Sequence, residues 1–237
     1  MEQPLRGRTA LVTGGGTGIG REIALALGRA GSQVAVSGRR REPLHGVVRE
    51  LEEMDARAVA VQADVRELPA VLNLVETSER ALGPIDILVN NAATFARGDV
   101  VKLDPERWND VIATNLTGAF LVTRAVLPGM IRRRSGSVVF VSSTSGKRGD
   151  PGMAAYSASK FGLMGLAHSL LYETRRHDIR VIVVSPSAID TRPEAPDPGH
   201  VTGVKPHASD VAASVVHCLG LPARALIREV EIWGTNP

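Results

Sequence analysis

Tyr156 and Lys160 stand four residues apart in the segment Tyr156-Ser157-Ala158-Ser159-Lys160. On a helix that spacing puts both side chains on one face. A phenol ordinarily loses its proton near pH ~10. A neighbouring ammonium favours the phenolate and draws that value down. Tyr156 is therefore a candidate proton donor or acceptor near neutral pH. Ser143, thirteen residues earlier, carries a hydroxyl that can hydrogen-bond an oxygen on which charge develops. Read singly, Tyr156 is an ordinary residue of an amphipathic helix and Lys160 a solvated charge.

A second constellation is Thr13-Gly14-Gly15-Gly16-Thr17-Gly18-Ile19-Gly20. It follows an aliphatic strand-like run, Leu11-Val12, and opens a helical pattern. A dinucleotide pyrophosphate needs glycines at such a place. The turn is tight, the backbone must approach the phosphates, and the helix must pack close to the strand. The spacing fits T-G-x-x-x-G-x-G and not G-x-G-x-x-G. The alternative is a plain glycine-rich turn.

The elements that must position these groups alternate along the whole chain. Short aliphatic runs predict strands at Val34–Val36, Ala58–Val61, Ile85–Val89, Val138–Val141, Val181–Val184 and Ile227–Trp233. Amphipathic stretches lie between them. One carries Ile19, Ile23 and Leu27. Another carries Leu68, Leu72, Val75 and Leu82. A third carries Leu163, Leu166 and Leu170, from near Ala155 to about Arg176. Glu42-Pro43 and Ser209-Asp210 read as helix starts, and Asp104-Pro105 as an N-cap followed by proline at the first helical position. A helix is also expected from Leu116 to Arg134. Strict alternation implies an α/β fold, with one doubly wound parallel sheet and helices on both faces. Residues 1–237 show no linker and read as one domain. The proline-rich segment Arg192–Pro206 reads as a loop of the length that often forms a lid.

Composition narrows the classes. Of 237 residues, 43% are hydrophobic and 22% charged, which excludes a disordered chain. Aromatics make up only 3%, so the core must be aliphatic, as in a parallel sheet buried on both faces. No unbroken apolar run nears the roughly 18 residues of a membrane span, and no signal-like segment opens the chain. A lone cysteine, Cys218, excludes an internal disulfide framework and a multi-cysteine zinc site. The six histidines lack metal-ligand spacing, so no metal is expected. The expectation is a cytoplasmic protein. A net charge of +3 argues against nucleic acid, as do the few aromatics available for stacking.

With these motifs in order, the chain resembles the short-chain dehydrogenase/reductase family over nearly its whole length. The carriers are the glycine loop, Asn90-Asn91-Ala92-Ala93, Asn115 at the head of Asn115-Leu116-Thr117-Gly118, Ser143 with Tyr156 and Lys160, and Pro186 through Thr191. The resemblance implies a Rossmann fold and an NAD(P)-dependent oxidoreductase acting on carbonyls or secondary alcohols. It implies Asn115, Ser143, Tyr156 and Lys160 as catalytic residues, with Lys160 also holding the nicotinamide ribose and Asn115 a proton-relaying water. For the cofactor it implies Gly14, Gly16, Thr17, Gly18, Ile19 and Gly20 at the phosphates. Asp64 and Val65 would meet the adenine. Asn91, Ala92, Ala93, Pro186, Ile189 and Thr191 would line the remainder, with Tyr156 and Lys160. Ala93 and Ser187 depart from the family's usual glycines, each by one small side chain.

The cofactor choice rests on Gly38-Arg39-Arg40-Arg41, after a second strand expected to end at Ser37. An acid there would bind ribose hydroxyls; a guanidinium suits a 2′-phosphate. Arg39 and Arg40 therefore favour NADP over NAD, the alternative being a solvated basic turn. The nearest subfamily is the 3-oxoacyl-[acyl-carrier-protein] reductases. Arg132–Arg134 and Arg175-Arg176 could meet an acyl carrier protein, or could simply be solvated helix ends. The tail Ala225–Pro237 looks more like the branch acting on small hydroxy acids, alcohols or sugars. A non-catalytic dinucleotide sensor or scaffold is the other reading, against which the chain keeps both Tyr156 and Lys160. Phe95, Met153 and Ile189 are candidates for the substrate entrance or for core packing. The resemblance also implies a homotetramer, with a dimer as the alternative, through Leu121, Val122, Leu163 and Leu166.

Overall fold

The computed structural model describes residues 3–191 and 205–235. Seven strands form one parallel sheet in the order β3-β2-β1-β4-β5-β6-β7. The first half comprises β1 (Thr9–Thr13), α1 (Gly18–Arg29), β2 (Gln33–Gly38), α2 (Arg41–Glu52), β3 (Ala58–Gln62) and α3 (Leu68–Leu82). The second comprises β4 (Ile87–Asn90), α4 (Pro105–Ile112), α5 (Gly118–Arg133), β5 (Gly136–Val141), α6 (Ala154–Thr174), β6 (Ile179–Pro186), α7 (Ala208–Gly220) and β7 (Glu229–Ile232). The strand order reverses between β1 and β4. A crevice opens there at the carboxyl ends of the strands, where doubly wound sheets bind ligands.

The pleat sends alternate residues to opposite faces. Leu11 joins Leu88, Val138 and Phe140 under α3, α5 and α6. Ala10 and Val12 join Ile87, Val89 and Val139 under α1, α2 and α7. Both faces are thus covered by helices, which explains the near-continuous aliphatic strands.

Several expected boundaries shift. β2 runs one residue past Ser37, because Gly38 still pairs with Gln62. β4 begins at Ile87, since Ile85 precedes the ladder while remaining buried. β6 extends to Pro186, paired with Ile232, and β7 is shorter than the apolar run that predicts it. α7 begins at Ala208, capped by His207. α6 ends at Thr174, and Arg175–His177 form a 3₁₀ turn. In α3 the buried residues are Val71, Leu74, Val75, Ser78 and Leu82, whereas Leu68 and Leu72 face solvent.

The expected helix Leu116–Arg134 is part of a longer one. Pro105–Arg133 is continuous, with a π turn at Ala113–Thr117 between α4 and α5, and Arg134 is its left-handed C-cap. Asp104 caps it as expected, its carboxylate accepting from the Glu106 N–H at 2.9 Å. This continuity makes it the one helix, among the described residues, long and apolar enough by composition to cross a membrane. Its Val122, Val126 and Met130 are buried in the core beside β4 and β5.

Candidate active site and cofactor cleft

The glycine loop joins β1 to α1 and is held from below by β4. Gly14 has φ +64°, and a Cβ there would lie 2.9 Å from the Ala92 Cα. A Cβ on Gly20 would lie 2.2 Å from the Gly14 carbonyl oxygen, so α1 can approach the loop only with glycine at this position. Thr17 is the N-cap of α1 but makes no side-chain cap, and no acid occupies the first turn. The first N–H groups therefore remain available to an anion.

Asn91 and Thr13 sew the end of β4 to this loop. The Asn91 amide donates to the carbonyls of Thr13 (3.0 Å) and Gly14 (3.2 Å). The Thr13 hydroxyl accepts from the N–H groups of Asn91 and Ala92, at 3.1 Å each. Thr13 heads the glycine motif in the sequence, and its hydroxyl is what joins that motif to the end of β4.

The loop forms the floor of a cleft of about 440 Å³. Gly38, Arg39 and Arg40 stand on one side, Asp64 and Val65 on another, and Ala92 and Ala93 beyond. Arg39 and Arg40 are exposed and make no ion pair among the described residues. Asp64 is gripped by Arg66, whose Nη2 lies 2.6 Å from Oδ2, and Arg66 also reaches Asp110. That grip holds the Asp64 carboxyl below the usual range, with the Arg39 charge adding to it. Thr191 lies against Gly18: a Cβ built there would be 3.6 Å from the threonine's Cβ. Ile189 is half-buried and packs on the α1 side of the core, and Ile19 is half-buried in α1. Residues 192–204, most of the expected lid, lie outside the described residues.

The proton-handling groups meet at the same edge of the sheet. β5 ends at Val141, and Ser143 caps a 3₁₀ turn, Thr144–Gly146, its Oγ accepting from the Ser145 N–H at 3.1 Å. Tyr156 and Lys160 lie in the first two turns of α6. The Lys160 Nζ donates to the Val141 carbonyl at 2.8 Å and sits 5.5 Å from the centroid of the Tyr156 ring. Burial lowers the Lys160 pKa to about 8. Burial pushes the Tyr156 phenol up, and the Ser143 hydroxyl pulls it partly back. The expected depression of Tyr156 by Lys160 is therefore corrected: the ammonium is turned to Val141 and lies over the ring.

Asn115 sits in the π turn. Its Oδ1 accepts from the Thr94 N–H at 2.8 Å, and its Nδ2 donates to the Thr94 carbonyl (2.8 Å) and the Ser159 Oγ (3.0 Å). Ser159 in turn donates to the Tyr156 carbonyl at 2.7 Å. The Asn115 side chain thus clamps α6 to the segment after β4. Ser159 is fully buried, and nothing local in the sequence singles it out.

Other expected groups fall elsewhere. Phe95 is 59% exposed, which removes it from the core. Met153 is half-buried, next to α6. Ser187 is half-buried and its N–H donates to the Ile232 carbonyl at 2.8 Å. The arginine clusters lie at the opposite edge of the sheet, roughly 20 Å away for strands of this length. There Arg134 pairs with Asp178 at 2.8 Å, and Arg133 donates to the Ile85 carbonyl at 2.6 Å. Val122 and Leu163 point into the core and offer nothing to a second subunit, while Leu121 and Leu166 are half-buried. Among the described residues no cluster of His, Cys, Asp and Glu could hold a metal.

A sequence model of the short chain dehydrogenase family matches residues 8–198. A Streptomyces coelicolor protein assigned as a ketoacyl reductase is 41% identical over 204 residues, covering 85% of this chain and 76% of that one. The Thermotoga maritima 3-oxoacyl-[acyl-carrier-protein] reductase FabG is 36% identical over 187 residues, 79% of this chain and 76% of its own. The crystal structure of a metagenomic short-chain oxidoreductase in complex with NADP superposes with a TM-score of 0.87 at 33% identity, over 99% of this chain and 100% of the other.

Proposed function

The chain belongs to the short-chain dehydrogenase family, and from that premise we propose an NADP-dependent oxidoreductase that moves a hydride between the nicotinamide and a carbonyl or secondary alcohol carbon. The observation that supports it is the meeting of Ser143, Tyr156 and Lys160 beyond the carboxyl end of β5, on the same side of the sheet as the cleft flanked by Arg39 and Arg40.

The residues fit the cofactor. Gly14, Gly16, Thr17, Gly18, Ile19 and Gly20, with the open N-terminus of α1, would take the pyrophosphate. Arg39 and Arg40 would take the 2′-phosphate through charge-assisted bonds. Asp64 and Val65 would take the adenine. Asn91, Ala92, Ala93, Pro186, Ile189 and Thr191 would line the ribose and nicotinamide end, and Lys160 the ribose hydroxyls. NADP supplies or accepts the hydride when bound.

The chain's own groups handle the proton. Tyr156 Oη gives a proton to the substrate oxygen in reduction and takes it back in oxidation. Ser143 Oγ holds that oxygen as charge develops. Lys160, with its pKa near 8, exchanges a proton at neutral pH and refills Tyr156. Any relay water at Asn115 would rest on its main chain, because its side chain is committed to Thr94 and Ser159.

The substrate class we favour is a 3-oxoacyl thioester, in keeping with the ketoacyl reductases among the relatives. An acyl carrier protein would have to present it at the carboxyl edge of the sheet, not at Arg132–Arg134 or Arg175-Arg176. We read residues 1–237 as one domain working in the cytoplasm as a homotetramer. The exposed Phe120 and Phe161, each 47% accessible on α5 and α6, are the apolar surface for that assembly. The test is NADPH oxidation over a panel of ketones, 3-oxoacyl thioesters and sugars. Turnover of oxoacyl thioesters at least tenfold above the rest supports the reading. Turnover confined to sugars or small hydroxy acids replaces the substrate class, and none with any carbonyl overturns the enzyme.

A further inference from the structure

The amino ends of β1, β4, β5 and β6, with the segment leading into β7, frame a second concavity. Its volume is about 790 Å³, larger than the cofactor cleft and within the range of small-molecule sites. Arg8, Arg175, Arg180, Arg224 and Arg228 line it, with Asp86 and Asp178 as its carboxylates. Both carboxylates are already engaged. Asp178 pairs with Arg134, and Asp86 accepts from the Thr9 N–H at 3.0 Å and lies 3.9 Å from Arg133.

The arginines are not. Among the described residues, Arg8, Arg175, Arg224 and Arg228 have no carboxylate within ion-pair distance. Arg180 donates to the Ser137 hydroxyl and to the carbonyls of Leu219 and Leu221, so it caps the end of α7 yet keeps its whole charge. Burial weakens its hold on that charge, the neighbouring Arg8 charge weakens it further, and Cys218 opposes both. Basic residues often gather at helix C-termini for the dipole. That accounts for Arg175, just after α6, and for Arg180. It does not account for Arg8, Arg224 and Arg228, which lie in loops. One wall is apolar, with Leu171, Leu226 and the 62% exposed Tyr172, whose ring offers a flat face.

We propose that this cleft is a second binding site, independent of the cofactor cleft, for a small anion bearing condensed phosphates. Guanidinia bind phosphate oxygens in pairs of parallel bonds, and several of them in one concavity match a charge that one phosphate does not supply. The concave shape suits a small ligand better than the face of an acidic protein. The proposal does not depend on the redox assignment, since it involves none of that site's residues.

The test titrates the NADP-saturated protein with inorganic tripolyphosphate and, separately, with ATP, by calorimetry. NADP saturation keeps both probes out of the first cleft. The double variant Arg224→Gln/Arg228→Gln changes two exposed loop residues, and its turnover and KM for NADPH should match the wild type. Binding should weaken by roughly tenfold or more in it, as expected for lost charged hydrogen bonds, and stay unchanged in Arg39→Ala. A second measurement needs no variant: phenylglyoxal labelling of Arg8 and Arg175, mapped by peptide mass, should fall when tripolyphosphate is present. ATP binding tighter than tripolyphosphate, with the difference lost in Tyr172→Ala, supports a nucleotide as the source; equal affinity supports a free condensed phosphate. No binding at millimolar tripolyphosphate, or binding that the double variant leaves intact, overturns the site.

Discussion

The Nζ of Lys160 lies 2.8 Å from the carbonyl oxygen of Val141, the last residue of β5. This bond ties the helix carrying Tyr156 to the strand that ends two residues before Ser143. It also holds a buried ammonium whose pKa falls from 10.5 to about 8. Below about pH 8 the folded and unfolded chains both carry the proton, and its burial costs stability. Between about 8 and 10.5 only the unfolded chain keeps it, so this contribution to stability rises with pH. Cys218 works against it, since burial keeps its thiol protonated where an unfolded cysteine ionises. Comparison with Lys160→Met isolates the lysine. From about pH 7.5 to 9.5, wild type should gain about 2 kcal/mol relative to the variant in urea unfolding. Parallel curves would remove Lys160 as a titrating group.

Tyr156→Phe keeps the ring beside Lys160 and removes the exchangeable proton. We expect kcat to fall ~100-fold or more, with NADPH affinity by fluorescence titration unchanged. Near wild-type turnover would mean that another group handles the proton.

The cofactor preference turns on one side of the adenosine cleft. Arg39→Ala should raise the KM for NADPH roughly ten- to hundredfold and leave NADH nearly unchanged. Added salt should mimic part of this, because Arg39 is exposed. Gly38→Asp should shift preference towards NADH. A Cβ at Gly38 meets only Leu44 Cδ2, at 3.6 Å, so the substitution fits. An equal effect of Arg39→Ala on both cofactors would reduce the arginines to a solvated turn.

Ser159→Ala removes the hydroxyl that joins Asn115 to the Tyr156 main chain. Asn115 keeps Thr94 as partner, so the fold should survive with a loss of ~1–2 kcal/mol in denaturant unfolding. An unchanged midpoint would show that the clamp contributes nothing.

Phe161→Asp places a charge on the exposed apolar face of α6. If that face joins subunits, light scattering should give a smaller species than wild type at equal concentration. The same mass for both would shift the assembly surface elsewhere.

The order of the elements was legible because each leaves a local mark; Ser143, Tyr156 and Lys160 were singled out by residue type and spacing, and Asn115 by the family resemblance alone. Gly14 and Gly20 mark a close backbone approach, and Tyr156 and Lys160 a helical spacing. What stayed illegible depends on partners distant in sequence. Thr13 bonds to Asn91, and Ser159 to Asn115, 44 residues away. The four-residue spacing of Leu68 and Leu72 pointed to the wrong face of α3. Which stripe is buried depends on where the sheet lies, and Val71 and Leu74 face it. The Tyr156 shift depended on where Lys160 sends its ammonium, which spacing does not fix.

The aliphatic core has an optical consequence. Both tryptophans lie at the surface, Trp108 38% and Trp233 46% exposed, while Phe140 is the aromatic among the largest fully buried side chains. Indoles this exposed are expected to emit as partly hydrated groups, so global unfolding should move their emission little and is better followed by circular dichroism. Trp233 is a local reporter instead. Its Nε1–H donates to Glu231 at 3.0 Å and its ring lies 5.2 Å from the Arg148 guanidinium, shortly after the Ser143 turn. A change in its emission on adding NADPH or substrate would signal that the segment past Ser143 has moved against the end of β7.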